Sequence, residues 1–157
     1  MLKIISGGQS GVDRAALDAA IEAGMDYGGW CPKGGWAEDL PERPGVVALY
    51  PNLRETPDAA PEERTLWNVF DSDALMVLTD RAGLGVSGGT ELAFGWAEDN
   101  GKPRIAIDVD APDALVQARV FLEGRAGGTL CIAGPRESEA PGIYGKAKAL
   151  LIMLFAR

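Results

Sequence analysis

Three segments rich in glycine or arginine carry the residues of this chain that could do chemistry. The first follows a short apolar run and reads Ser6-Gly7-Gly8-Gln9-Ser10-Gly11-Val12-Asp13-Arg14. Its small residues would let the main chain approach a ligand, and the N–H groups of the next helix would point at a bound phosphate or carboxylate. The spacing matches neither the dinucleotide fingerprint nor the Walker loop, which disfavours NAD and magnesium-ATP hydrolysis. The alternative is a tight turn that needs glycine only for its dihedral angles.

The second segment, residues 80–92, also follows an apolar run and opens a helix. Here Ser87 or Thr90 could bond a phosphate oxygen. Glu91 falls in the first helical turn, where it either complements the helix dipole or takes part in catalysis, and the sequence leaves both roles open.

The third segment, residues 133–138, places Arg136 directly after an apolar run, where its guanidinium could grip an oxyanion with two hydrogen bonds. A solvated surface arginine is the alternative. Lys33, Arg54 and Arg64 could add positive charge from other parts of the chain, although each taken singly is typical of a protein surface.

The absence of histidine limits the possible chemistry. It excludes Ser-His and Cys-His catalysis and imidazole metal sites. The candidate catalytic carboxylates are Glu91 and Asp80, but Asp13, Asp71, Asp73 and Asp80 all lie near predicted element ends, where capping and turns already explain them. No set of four metal ligands is evident, so no structural metal is predicted.

Composition narrows the partners. A net charge of −8 argues against a general nucleic-acid or anionic-membrane surface, so an anionic ligand would need a local site. Cys31 and Cys131 are too few for a disulfide framework, which favours a reducing cytoplasm. No apolar run reaches the roughly 18–20 residues of a membrane span, and no signal peptide is evident. We therefore expect a soluble, unprocessed cytoplasmic protein.

Short apolar runs alternate with segments of helical spacing, which predicts βα units. The predicted strands are residues 2–6, 28–32, 74–79, 104–108 and 129–133, with 46–50 as a weaker candidate. The predicted helices are residues 11–23, 61–70, 89–99, 111–123 and 142–156. Ser10 and Asp13 resemble a capping box for the first helix, and Gly24 is a natural stop.

These elements predict a three-layer α/β/α architecture of the Rossmann-like type. Residues 1–157 would form one domain with an open, mainly parallel sheet of about five strands. Because parallel strands end at a common edge, the loops after residues 6, 79 and 133 can converge there. The four tryptophans Trp30, Trp36, Trp67 and Trp96 could belong to the core or stack on a ligand, and Trp36, beside Gly34 and Gly35, is the one to test for stacking.

The motifs together resemble the family of putative molybdenum (cofactor) carrier proteins. That family lies in the Rossmann-like superfamily that includes cytokinin-activating phosphoribohydrolases and DNA-processing protein A. The resemblance spans nearly the whole chain and rests on residues 7–18, 29–34, 64–69, 87–90 and 133–138. It implies a homo-oligomer, a dimer or a tetramer, with a phosphorylated nucleotide-like ligand or molybdenum cofactor at the glycine loops.

The phosphoribohydrolase relatives place a catalytic Glu three residues after the Thr of their P-G-G-x-G-T-x-x-E motif. In this sequence Glu91 follows Thr90 directly, and the position three residues on is Ala93. The catalytic carboxylate of those relatives therefore does not carry over.

The leading hypothesis is a carrier-like protein that binds a phosphorylated nucleotide-like or pterin-phosphate ligand. The runner-up is a nucleotide-processing enzyme, and a regulatory module related to DNA-processing proteins is disfavoured by the acidic charge. The residues predicted to hold the ligand are Gly7, Gly8, Gln9, Ser10, Gly11, Asp13, Arg14, Lys33, Ser87, Gly88, Gly89, Thr90, Glu91, Gly134 and Arg136.

Overall fold

The computed structural model describes residues 1–156, which form a parallel sheet of six strands. The strands are β1 (Lys3–Ile5), β2 (Tyr27–Cys31), β3 (Leu53–Glu55), β4 (Ala74–Thr79), β5 (Arg104–Asp108) and β6 (Thr129–Ala133). Their order across the sheet is β3-β2-β1-β6-β4-β5, and every neighbouring pair is parallel. All six residues of β4 are buried, as expected for a strand that is apolar on both faces and covered on both sides.

Six α-helices accompany the sheet. They are α1 (Val12–Glu22), α2 (Val46–Leu49), α3 (Pro61–Phe70), α4 (Gly88–Asp99), α5 (Ala114–Leu122) and α6 (Ile143–Phe155). Helices α1, α5 and α6 pack together on one face of the sheet, while α3 and α4 pack together on the other. The predicted three-layer Rossmann-like architecture is therefore confirmed.

The predicted number of strands is wrong, because the sheet has six strands rather than five. The sixth is the edge strand β3, which pairs with β2. The candidate strand at residues 46–50 is instead the single helical turn α2, closed by the amide of Tyr50 donating to the carbonyl of Val46 (2.9 Å). Short apolar runs do not distinguish a strand from a helical turn, and this one was resolved by tertiary packing.

The predicted capping box at the start of α1 is also wrong. Gly11 precedes the helix, and no side chain caps its first turn. Ser10 instead donates to the carboxylate of Glu38, and Asp13 accepts a hydrogen bond from Arg64. Both polar groups are taken by partners far away in sequence, which a local capping rule does not consider.

The strand order brings three loops together. The chain leaves β1 toward β2 on one side of the sheet and leaves β4 toward β5 on the other, while β6 returns to lie between β1 and β4. Such a reversal opens a crevice at the carboxyl ends of the strands. The loops that follow β1, β4 and β6 are therefore neighbours at this edge.

None of the helices formed by residues 1–156 is both long enough and apolar enough to cross a membrane.

Candidate functional site

A small cleft of about 140 Å³ opens at the carboxyl edge of the sheet, between the loop after β1, helix α3, the start of α4 and the loop after β6. Its floor includes the apolar side chains of Val69, Ala93 and Cys131. Its polar lining comes from Gly7, Gln9, Asp13, Glu62, Arg64, Thr65, Asn68, Ser87, Gly89, Thr90, Gly134 and Arg136. The three loops singled out by the sequence thus meet around one cavity.

The predicted ligand residues divide into two groups. Those that line the cleft are Gly7, Gln9, Asp13, Ser87, Gly89, Thr90, Gly134 and Arg136. Those that lie outside its lining are Gly8, Ser10, Gly11, Arg14, Lys33, Gly88 and Glu91. The binding role of every residue in both groups stays a prediction, but only the first group lines this cleft.

A buried ion pair forms one wall of the cleft. Arg64 Nη1 donates to Asp13 Oδ2 over 2.9 Å, and the two side chains are only 12% and 7% exposed. Arg64 Nε is buried and has no hydrogen-bond partner within residues 1–156. Burial raises the pKa of Asp13, and the positive charge and hydrogen bond of Arg64 oppose that shift only in part.

Gly7 is the residue that allows this pair to sit beside the loop. A Cβ atom at position 7 would lie 2.0 Å from Arg64 Nη1 and 3.1 Å from Asp13 Oδ2. A side chain at this position would require the guanidinium to move from its place beside Asp13. The glycine therefore serves close packing of a side chain, in addition to any approach to a ligand.

The N-terminus of α4 supplies main-chain donors. Ser87 caps the helix, because its hydroxyl accepts from the amide of Thr90 (3.3 Å) while its carbonyl accepts from the amide of Glu91 (3.0 Å). The N–H groups of Gly88 and Gly89 precede these bonds and have no partner along the helix. Gly89 lines the cleft, so the positive end of a twelve-residue helix faces it.

Gln9 is buried and holds the first loop against its neighbours. Its Oε1 atom accepts from the main-chain amides of Ser10 (3.0 Å) and Glu38 (2.9 Å). The NH₂ end of the same amide is then left as a donor at the edge of the cleft.

Glu38 ties together the loops that follow β1 and β6. Its carboxylate accepts from the hydroxyls of Ser10 and Ser138 and from the amide of Ser138 (3.1 Å). Burial alone would raise the pKa of Glu38. The hydrogen bonds from both serines and the nearby charge of Arg136 together outweigh that effect, and its pKa lies below the usual 4.5.

Replacing Glu38 with glutamine is expected to lower the free energy of unfolding by about 1 kcal/mol at pH 7, because charged acceptors bind hydroxyls more strongly than amide oxygens do. The carboxylate contributes stability above the unfolded pKa of 4.5 and loses it as the pH falls through the lower folded value. The deficit should therefore shrink in acid.

Urea unfolding of wild type and Glu38→Gln at several pH values between 7 and 3 measures this deficit. Glu98→Gln is the control, since it removes a carboxylate that is 61% exposed and paired only with Arg104. A deficit for Glu38→Gln that stays constant down to pH 3 would contradict the assignment.

Arg14 braces the first loop rather than reaching into the cleft. Its guanidinium donates to the carbonyl of Gly8 (3.2 and 3.1 Å) and binds both oxygens of Asp39 (2.9 Å each). It lines a separate open depression on the other side of the loop, together with Ser10 and Gly11.

The two candidate catalytic carboxylates also lie outside the cleft lining. Glu91 is exposed on α4, and Asp80 Oδ1 accepts from the amide of Ala82 (2.8 Å) in the turn after β4. The carboxylates that do line the cleft are Asp13 and Glu62. The catalytic roles of Glu91 and Asp80 stay a prediction, but the geometry brings neither carboxylate to the cavity.

Arg136 is half-buried and lines the cleft from the loop after β6. Its guanidinium lies 5.8 Å from the centre of the Trp36 ring, which is within range of a cation–π contact. No carboxylate of residues 1–156 forms an ion pair with it. The guanidinium therefore keeps its hydrogen-bonding capacity for another group.

Sequence reasoning underestimated helix α3. The sequence indicates Arg64 only as a possible added positive charge that is typical of a surface, and Asn68 only as part of the family resemblance, yet both line the cleft. Asn68 holds α3 against β2 by bonding the amide (2.7 Å) and carbonyl (2.9 Å) of Trp30. The available signal was the spacing of four between these polar residues, which places them on one helix face.

The donor set of the site suits anions. No group of three or more Cys, Asp or Glu side chains within residues 1–156 is arranged to hold a metal ion. The N–H groups of α4 and the guanidinium of Arg136 are instead donors, which suit a phosphate or another oxyanion.

Comparison with known proteins adds the following. A sequence model of the circularly permutated YpsA SLOG family matches residues 4–155. The crystal structure of a protein named "putative molybdenum carrier protein", from Syntrophus aciditrophicus SB, is 37% identical in sequence. It aligns over 99% of this chain and 94% of its own, with a TM-score of 0.84. A search of curated proteins finds no match.

Proposed function

Because the chain belongs to the circularly permutated YpsA SLOG family, we propose that its cleft binds a small phosphorylated ligand, either nucleotide-like or a pterin phosphate. The observation that carries the proposal is the meeting of three anion-binding features around one cavity. These are the Gly7 loop, the N-terminus of α4 at Gly89 and the guanidinium of Arg136, which forms no ion pair within residues 1–156.

The charge distribution supports an anionic ligand. The chain carries a net charge of −8, so its overall field repels anions. At the cleft, Arg64 is already neutralised by Asp13, whereas Arg136 has no ion-pair partner within residues 1–156. Glu62 also lines the cleft, so its four charged side chains sum to zero, and the α4 N–H groups add partial positive charge to an edge that is less acidic than the chain as a whole.

The size of the cleft limits what it encloses. A cavity of about 140 Å³ is smaller than the roughly 300–1,000 Å³ of pockets that surround a drug-sized molecule. It suits a phosphoryl group with a few further atoms. The remainder of a nucleotide or pterin would lie at the mouth of the cleft.

The name of the similar crystal structure suggests a molybdenum-containing ligand. In this chain the donors of the cleft fit the phosphate group of a pterin cofactor or the molybdate oxyanion, since both present oxygens to N–H groups. Gly89, Thr90 and Arg136 would hold such a group. A cofactor bound this way would bring its own redox chemistry, while the protein would supply binding and enclosure.

A nucleotide-processing enzyme is the second candidate, and Asp13 is the observation in its favour. This carboxylate lines the cleft and has a raised pKa, which is the environment of many catalytic acids and bases. Incubation with GMP or AMP and chromatographic detection of free base separates the two functions. Release of base by wild type favours the enzyme, whereas binding without turnover favours the carrier.

The Gly89→Glu variant tests the proposed binding site. A Cβ at position 89 meets no atom within 4 Å, and an acid in the first turn suits the helix dipole, so the fold should be retained. The new carboxylate would compete with the ligand's phosphate. Titration calorimetry with GMP, ribose 5-phosphate, inorganic phosphate and molybdate should show affinity lowered at least tenfold for every probe that wild type binds.

Gly95→Glu is the matched control. It makes the same charge change on the same helix, also with open space at the Cβ position, but residue 95 does not line the cleft. Its affinities should stay within about twofold of wild type. The proposal fails if wild type binds none of the probes at 10 mM, or if Gly89→Glu binds as tightly as wild type.

The homo-oligomer and the cytoplasmic location stay predictions.

A further inference from the structure

A second depression adjoins the cleft. It has a volume of about 440 Å³ and lies between the loop of residues 33–44 and the start of α3. Pro61 lines both spaces, so the depression lies next to the cleft at the start of this helix.

Trp36 and Arg136 form the wall between the two spaces. The indole of Trp36 lines the depression and is 37% exposed, while Arg136 lines the cleft. The guanidinium lies 5.8 Å from the ring centre, which is too close for another ring to fit between them. A planar group in the depression would therefore meet the part of Trp36 that Arg136 leaves uncovered.

Two cations complete the depression. Lys33 and Arg43 both line it and are exposed, and no carboxylate of residues 1–156 forms an ion pair with either. Arg43 lies across Gly34, where a Cβ atom would be 3.3 Å from its Nε. An aromatic ring flanked by unpaired cations suits a planar, electron-rich group that carries carbonyl oxygens.

The loop that carries these residues is held in place by its own main chain. The amide of Val46 donates to the carbonyl of Gly35 (2.9 Å), and the amide of Gly35 donates to the carbonyl of Pro32 (2.8 Å). Glu38 links the same loop to the first glycine turn through Gln9 (2.9 Å). The depression is thus formed before any ligand arrives, which reduces the ordering needed on binding.

We propose that the depression is the ring subsite of the same ligand, with a planar heteroaromatic ring resting on Trp36 between Lys33 and Arg43 while the phosphoryl group occupies the cleft. This inference rests on the proposed function. It selects ligands that join a ring to a phosphoryl group over bare oxyanions and simple sugar phosphates.

The test compares GMP with ribose 5-phosphate by titration calorimetry. GMP is the ring-bearing probe because guanine presents the same amino-pyrimidinone edge as a pterin, and ribose 5-phosphate lacks the ring. Wild type should bind GMP at least tenfold more tightly than ribose 5-phosphate. Trp36→Ala should lower GMP affinity about tenfold and leave ribose 5-phosphate within twofold, because stacking acts on the ring alone.

Trp36→Phe should retain most of the GMP affinity, since a smaller aromatic face remains. Phe70→Ala is the matched control, because it removes an aromatic side chain that is 68% exposed and lies on neither surface. It should leave both affinities unchanged. Quenching of tryptophan fluorescence by GMP should be lost in Trp36→Phe.

The outcomes separate the two proposals. Binding of none of the four probes (GMP, ribose 5-phosphate, inorganic phosphate and molybdate) by wild type at 10 mM removes the proposed function, and binding of the bare oxyanions alone overturns the ring subsite. Equal affinity of wild type for both probes, or an equal loss of both in Trp36→Ala, leaves the anion cleft in place and overturns the ring subsite. An equal loss of both affinities in Trp36→Ala would mean that Trp36 acts only by positioning Arg136.

Discussion

Replacing Asp13 with alanine is expected to lower the free energy of unfolding by about 3–5 kcal/mol, since it leaves the Arg64 guanidinium buried without its counter-charge. Arg64 Nε already lacks a hydrogen-bond partner within residues 1–156, so little else compensates for the loss. Urea unfolding at pH 7, followed by tryptophan fluorescence and circular dichroism, measures the change.

The double variant Asp13→Ala/Arg64→Leu should recover part of this stability, because it removes both charges rather than stranding one. Glu22→Gln is the control, since it breaks the exposed ion pair with Lys148 and should lower the free energy of unfolding far less than Asp13→Ala does. A loss below 1 kcal/mol for Asp13→Ala would show that solvent reaches the pair more freely than its burial indicates.

In the single variant Arg64→Leu, the free energy of unfolding is expected to depend more strongly on pH than in wild type. Burial raises the pKa of Asp13, and removing Arg64 takes away the charge that opposes the shift. A carboxyl whose pKa is raised in the folded state contributes its full stabilisation below its unfolded pKa of 3.8. That stabilisation is lost as the pH rises through the pKa of the folded state. The deficit of Arg64→Leu relative to wild type should therefore be larger at pH 7 than at pH 4.

Replacing Gly11 with alanine is expected to cost about 3 kcal/mol or more. Gly11 has φ of +78° and ψ of −130°, a sparsely populated conformation that costs other residues about 1–3 kcal/mol. Its Cβ would also lie 2.3 Å from the carbonyl oxygen of Pro135 and 2.8 Å from the main chain of Glu137. Main chain cannot move aside as a flexible side chain does, so the loops after β1 and β6 would separate. Thermal unfolding should show a large decrease in Tm.

Gly95→Ala provides the comparison. Gly95 lies within α4, and a Cβ there meets no atom within 4 Å. Alanine is the better helix former, so this variant should be more stable than wild type by about 0.5–1 kcal/mol. Similar effects at both positions would mean that the contact of Gly11 with the last loop does not hold the edge together.

Much of the scaffold could be predicted because its signals are local. The strands at residues 74–79, 104–108 and 129–133 have the predicted bounds, since each is a short apolar run enclosed by Gly, Pro or Asp. The predicted start of the helix at residue 61 is also correct, because Pro61 is preorganised for the first helical turn and the acids Glu62 and Glu63 suit its positive end. The resemblance to molybdenum carrier proteins is confirmed by the family match and by the similar crystal structure.

The errors arose where long-range partners override local preference. Ser10 resembles a capping residue, but its hydroxyl is bound by Glu38, which lies 28 positions away. The apolar residues 46–50 fit either a strand or a helical turn. In the structure they form a helical turn, with Val46 and Tyr50 packed in one core cluster with Ala37. A local pattern carries no record of such partners.

By itself, the sequence determined that buried strands alternate with helices and that three of the loops are rich in donors, because apolar period and glycine content are properties of neighbouring residues. The tertiary structure decided which donors share a space. Arg14 and Ser10 bind neighbouring loops instead of lining the cleft. Asp13 forms a buried ion pair with Arg64, and Arg136 packs against Trp36. The position of Arg136 depends on β6 lying between β1 and β4, which brings the loop after β6 next to residues one hundred positions earlier in the chain.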